Sequence, residues 1–164
     1  QFVIKYPKLV RGIVLEGAFA SFGDKKEMIE YKQVVDQLQD PMDTTQAREF
    51  QQSTLANPID ADYFNLLLQE SYKAKSHVWK GVWNGLMTAN YRAEAHYVKK
   101  PALIIWGEKD NMSPRADQEF LMTAIEGSIF IEYKGTGHSL HWEQPKRFAD
   151  DIAGFIQLIK DINK

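Results

Sequence analysis

Two short runs of this chain are apolar almost without interruption, Gly12-Ile-Val-Leu15 and Ala102-Leu-Ile-Ile-Trp106. A strand that faces water on one side alternates apolar and polar residues. Continuous apolarity therefore predicts strands of a parallel sheet covered on both faces. A third run, Ser128-Ile-Phe-Ile-Glu-Tyr133, is mixed, as an edge or near-edge strand would be. Between the second and third, Arg115 to Ile125 places Phe120, Leu121, Ala124 and Ile125 at helical spacing. Pro114 is expected in the first turn of that helix and Gly127 just past its end. Pro145 opens a further helix, with Phe148, Ile152, Phe155, Ile156 and Ile159 expected on one stripe. The order strand, helix, strand, helix predicts an α/β fold of about three parallel strands with flanking helices.

The stretch from Asp24 to Lys100 shows no strand pattern. It predicts several helices, broken at Pro41, at Pro58 and between Lys73 and Ser76. Tyr63, Phe64, Leu67 and Leu68 suggest one amphipathic helix; Val78, Trp79, Val82, Trp83 and Leu86 suggest another. So long an insertion between consecutive strands exceeds an ordinary crossover, and such insertions commonly sit over a site. The expected organisation is a core segment over 1–23, an all-helical cap or lid over 24–100, and a second core segment over 101–164. No internal repeat or low-complexity segment is visible.

Composition excludes several chemistries. The chain has no cysteine, which removes disulfides, zinc-thiolate sites and cysteine nucleophiles. Its formal net charge is −2, with no basic stripe of the kind that marks a nucleic-acid partner. No apolar run reaches the length of a membrane span, and no signal-peptide pattern opens the chain. Neither a cofactor nor a metal site is expected, the expected partner is a small-molecule substrate, and a cytoplasmic location is compatible with these features.

The residues that bear chemistry lie where the predicted strands end. Ile104-Ile-Trp-Gly-Glu-Lys-Asp110 carries a buried strand through a glycine turn to a carboxylate. Lys134-Gly-Thr-Gly-His138 delivers a histidine on a glycine-rich turn after the next strand. In open α/β sheets catalytic groups gather at this carboxyl edge. Adjacent parallel strands would set Asp110 beside His138, where a carboxylate fixes the imidazole tautomer and stabilises the imidazolium.

Pro101-Ala-Leu-Ile-Ile-Trp-Gly-Glu-Lys-Asp110 and Gly135-Thr-Gly-His-Ser-Leu-His-Trp-Glu-Gln-Pro145 resemble the C-terminal part of the α/β-hydrolase superfamily. Arg147-Phe-Ala-Asp-Asp-Ile-Ala-Gly-Phe155 is similar to its final helix, and Tyr6-Pro-Lys-Leu-Val-Arg-Gly-Ile-Val-Leu15 resembles the segment that follows its nucleophile. The resemblance implies that Asp110 is the acid and His138 the base of a catalytic triad, and that the helical insertion is a cap. It also implies a nucleophile on a Gly-x-Ser-x-Gly elbow, and no such motif occurs in the sequence. Ser113 and Ser139 adjoin the two loops, but neither sits on an elbow.

Plainer roles stand beside these. Asp110 could cap the helix near Pro114, and His138 could be a polar turn residue. Glu16 ends the first strand at the same edge and is an alternative acid, because some α/β-hydrolases place theirs there. His141 is expected to pack with Trp142, and Glu143 to favour the start of the Pro145 helix through its dipole. His77 and His96 are expected on the surface or in the cap. Trp79, Trp83 and Tyr91 are expected first as cap core and secondly as the wall of an acyl or aromatic pocket.

The leading expectation is a capped serine hydrolase acting on a carboxylic ester or related carbonyl compound. Relatives with an aspartate nucleophile, such as epoxide hydrolases and haloalkane dehalogenases, are one alternative. A non-catalytic binding or receptor module of the same fold is another. Gln1-Phe-Val-Ile-Lys-Tyr-Pro7 reads as a helix entered in mid-run, so the chain is expected to be a fragment, inactive alone for lack of the nucleophile. An uncovered strand at Gly12–Leu15 would then favour self-association, or association with the missing N-terminal half.

Overall fold

The computed structural model describes residues 1–162. A short helix α1 (Phe2–Lys5) and a single 3₁₀ turn (Pro7–Leu9) lead into strand β1 (Ile13–Glu16). Four helices follow: α2 (Lys26–Asp36), α3 (Thr44–Ser53), α4 (Ala61–Lys73) and α5 (Ser76–Thr88). The chain then passes through a second 3₁₀ turn (Ala95–Tyr97) to β2 (Ala102–Gly107), α6 (Arg115–Ala124), β3 (Ile129–Tyr133), α7 (Leu140–Glu143) and α8 (Pro145–Ile162). The three strands form one parallel sheet in the order β1-β2-β3, with Leu15 opposite Ile104 and Ile104 opposite Phe130.

The continuous apolarity of β2 follows from its central place. All six of its residues are buried. Ala102 and Ile104 point to one face, where Leu121 and Ile125 of the α6 region cover them. Leu103 and Ile105 point to the other, against Phe155 and Ile159 of α8. Burying a side chain of this size contributes about 1.5–3 kcal/mol, so β2 anchors both cores.

Two details of the sequence expectation change. Pro114 precedes α6 as its capping residue and is not inside the first turn. Ile156 leaves the buried stripe of α8 and is 47% exposed. It borders a groove with Leu9, Val10 and Gly12, in the chain that leads into β1.

The four inserted helices lie around a second core, in which Met28 and Val35 of α2 and Trp83 of α5 meet Phe22 and Leu38 from the adjoining loops. Aspartates mark the starts of three of these four helices, α3, α4 and α5. Asp43 accepts from the Thr45 N–H at 2.8 Å and Asp60 from the Tyr63 N–H at 2.9 Å. The start of α5 is capped from a distant loop, where Asp40 accepts from the backbone N–H and the hydroxyl of Ser76. That backbone bond is the main reason the Asp40 carboxyl lies below its ordinary pKa. An isolated bridge between Ser21 and Asn90 joins the strands of chain that enter and leave this helical layer.

Candidate active site

Asp110 lies at the end of the turn that leaves β2, and its backbone N–H donates to the Gly107 carbonyl at 2.9 Å. Its two carboxylate oxygens do different work. Oδ1 accepts the N–H groups of Met112 and Ser113 at 2.8 and 2.9 Å, closing its own turn. Oδ2 lies 2.9 Å from Nδ1 of His138. One side chain thus closes its own turn and meets the histidine; it does not cap α6, whose capping residue is Pro114 with no side-chain bond. Ser113 fixes the turn further, donating its hydroxyl to the Gly17 carbonyl and accepting from the Trp106 indole N–H at 2.7 Å.

The Asp110 side chain is fully buried and His138 is 28% exposed. A carboxylate facing Nδ1 favours the tautomer with its proton on that nitrogen, which directs the Nε2 lone pair away from Asp110. Space for the pair depends on Gly17. Its φ is +48°, and a Cβ there would lie 2.9 Å from His138 Nδ1 and 3.0 Å from Asp110 Oδ2. Any side chain at position 17 would collide with the pair.

His138 faces a cavity of about 470 Å³ between the carboxyl-end loops and the helical layer. Phe22, Phe50, Trp79, Trp83, Leu86 and Met112 line it, and every lining side chain except His138 is apolar. Trp79 and Trp83 thus serve both as core and as cavity wall. Tyr91 belongs to neither; it contributes a backbone N–H to the Ala20 carbonyl at 2.7 Å. His77 and His96 are exposed, with His96 against the ring of Tyr97.

The structure pairs Glu16 with His141, through Nδ1, and not with His138. The His141 ring also packs against Trp142 and Phe148. Glu143 departs from the role expected of it. Instead of serving the α8 dipole it accepts the N–H groups of Ala56, Asn57 and Gly137 and the amide of Asn57. Ser139 bonds Thr54 through its backbone and its hydroxyl. Apart from the bond between Gly137 and Glu143, these links join positions more than eighty residues apart, and no spacing in the sequence announces them. Tyr133, buried under α8, donates its hydroxyl to Asp151 at 2.5 Å. Among the described residues, no three His, Cys, Asp or Glu side chains are grouped to hold a metal ion. No helix among them is long and apolar enough to cross a membrane.

A buried acid holding a histidine at the carboxyl edge of a parallel sheet, beneath helices, is a hydrolase-like arrangement. A family model described as alpha/beta hydrolase fold matches residues 1–145, and the chain belongs to that family. It is 37% identical over 78 residues to Putative esterase/lipase 2 of Mycoplasma pneumoniae, covering 47% of this chain and 28% of that protein. It is 25% identical over 160 residues to Pyrrolizixenacetamide deacetylase of Xenorhabdus hominickii, covering 92% of this chain and 58% of that protein. Among solved structures, an esterase from Exiguobacterium antarcticum superposes with a TM-score of 0.81 at 18% identity, over 94% of this chain and 62% of that one. A putative aryl esterase from Burkholderia cenocepacia gives 0.80 at 19% identity, over 98% and 60%. These two structures share the fold. The chain spans less than two thirds of the length of each of these proteins.

Proposed function

We propose that this chain supplies the acid and the base of a serine ester hydrolase, with His138 as proton shuttle and Asp110 orienting it. The contact that carries the proposal is Asp110 Oδ2 to His138 Nδ1, at 2.9 Å, beside the apolar cavity. The esterase and lipase names among the relatives support attack at a carbonyl carbon over epoxide or halide chemistry. In the proposed cycle, His138 Nε2 takes the proton of a serine hydroxyl as its oxygen bonds to the substrate carbonyl carbon. The imidazolium, stabilised by Asp110, returns that proton to the departing alkoxide. A water molecule then gives a proton to His138 as its oxygen bonds to the acyl carbon, and His138 passes that proton to the serine oxygen as the acyl–serine bond breaks, releasing the acid and restoring the serine. With no Gly-x-Ser-x-Gly motif in this sequence, the serine and the oxyanion hole come from a longer protein, and the chain alone is inactive.

In this proposal residues 24–100 act as a cap and the cavity receives an uncharged acyl or aryl group. The test uses the longer protein and p-nitrophenyl esters from acetate to octanoate. Each methylene buried in the cavity contributes about 0.8 kcal/mol, so kcat/KM rises about fourfold per carbon until the cavity is full. Trp83→Ala flattens that rise, and His138→Ala lowers turnover by about six orders of magnitude. Undiminished turnover in His138→Ala removes the assignment, and a preference for charged acyl groups removes the cavity's role.

A further inference from the structure

One carboxylate at the end of α7, just past the histidine turn, has more hydrogen-bond donors than any helix-start role requires. Glu143 Oε1 accepts the Gly137 N–H at 2.7 Å and the Ala56 N–H at 3.0 Å. Its Oε2 accepts the Asn57 N–H at 3.1 Å and the Asn57 side-chain amide at 2.6 Å. That same amide nitrogen donates to the Gly135 carbonyl at 2.7 Å. On the other side of His138, the Ser139 N–H donates to the Thr54 carbonyl at 3.0 Å, and the two hydroxyls meet at 2.9 Å. His138 is therefore bracketed by Gly137 and Ser139, each fastened to residues 54–57 of the helical layer.

The approach is close. A Cβ on Gly137 would lie 2.6 Å from the Thr54 carbonyl oxygen and 2.7 Å from the Ala56 nitrogen. Among the described residues the imidazole has a single hydrogen-bond partner, Asp110, so its backbone must be fixed independently for that bond to persist. Hydrogen bonds to a carboxylate are roughly twice as strong as neutral ones, and four of them converge here.

We infer that Glu143 is a positioning residue for His138, holding the histidine turn to residues 54–57 so that the placement of the helical layer and the geometry of the Asp110–His138 pair are set together. The inference rests on His138 being the base proposed above. A shift of the helical layer at 54–57 would then pull on the residue before His138 and the residue after it, and loosen the relay.

The experiment is proton NMR of this chain, following the His138 Nδ1–H, which resonates downfield of the amides when Asp110 holds it. His138→Asn identifies the signal by removing it. Glu143→Gln keeps the side-chain volume but loses the charge and sets an NH₂ group against N–H donors. In the folded variant the signal disappears, or exchanges with water about tenfold faster or more, the scale of one lost charge-assisted bond. Should Glu143→Gln fail to fold, Asn57→Ala removes only the side-chain arm, and a several-fold faster exchange is expected. An unchanged exchange rate in folded Glu143→Gln, or in Asn57→Ala in its place, overturns the inference and leaves the relay standing. Absence of the signal from the unaltered chain overturns the relay and the inference together.

Discussion

Asp110 makes its own turn and its partner's orientation depend on one carboxylate, and the two roles respond differently to mutation. Asparagine keeps an oxygen able to accept the Met112 and Ser113 N–H groups, whereas alanine leaves both without that acceptor. Asp110→Ala is expected to cost about 1–3 kcal/mol in urea unfolding and Asp110→Asn well under half of that. Tyr133 offers a test by pH. Burial, with the bond to Asp151 second, pushes its hydroxyl well above the ordinary tyrosine pKa. The folded state holds that proton more tightly than the unfolded state. Its contribution is therefore complete below the unfolded value of about 10 and is lost as pH rises toward the higher folded value. Stability of the unaltered chain should fall as pH climbs past about 10 more steeply than that of Tyr133→Phe, as read from thermal midpoints across that range. At this scale Asp110 and His138 were legible, because each directly follows an apolar run and a glycine turn. Glu143 was not, since its partners lie at positions 56 and 57 and nothing local in the sequence marks a carboxylate for a distant backbone.

The strands were the most legible elements, because burial on both faces leaves no polar position in β2. Helix α8 was read less well. Ile156 fits the apolar stripe by spacing, but the groove beside the chain that leads into β1 leaves that part of the helix uncovered. The attachment of the helical layer lay wholly outside the sequence pattern. Lys25, just before α2, meets the buried Asp117 of α6 at 2.8 Å, and Arg92, just after α5, approaches the same carboxylate at 3.8 Å. One acid on the core thus holds the chain both where it enters the layer and where it leaves, next to the Ser21–Asn90 bridge. Removing one partner of a buried pair leaves the other charge uncompensated, so Asp117→Ala is expected to destabilise the chain by about 3 kcal/mol. Amide exchange at Ser21 and Asn90 should accelerate well beyond that at Ile104. Uniform acceleration would mean that Asp117 serves global stability and not the attachment.

The whole molecule is a small parallel sheet whose central strand is covered on both faces, while Val14 of β1 stays exposed; a second apolar core is stacked on its carboxyl end. Composition and strand order made the fold class readable, and the length of the insertion pointed to a layer over the site. The cavity between the two was not readable, because it depends on which faces of α5 turn toward His138. Among the described residues β1 pairs only with β2, which leaves its other edge unpaired there. An apolar strand edge of this kind favours further pairing, so the chain is expected to self-associate in sedimentation. A monodisperse monomer of 18.9 kDa would contradict this.

The relay is the central claim, and it is tested most directly by kcat/KM on p-nitrophenyl butanoate for the longer protein and its Asp110→Asn variant. A wrong histidine tautomer predicts a fall of about 10⁴, carried by kcat with KM little changed. A variant within about threefold of the unaltered enzyme would show that Asp110 does not orient the catalytic base.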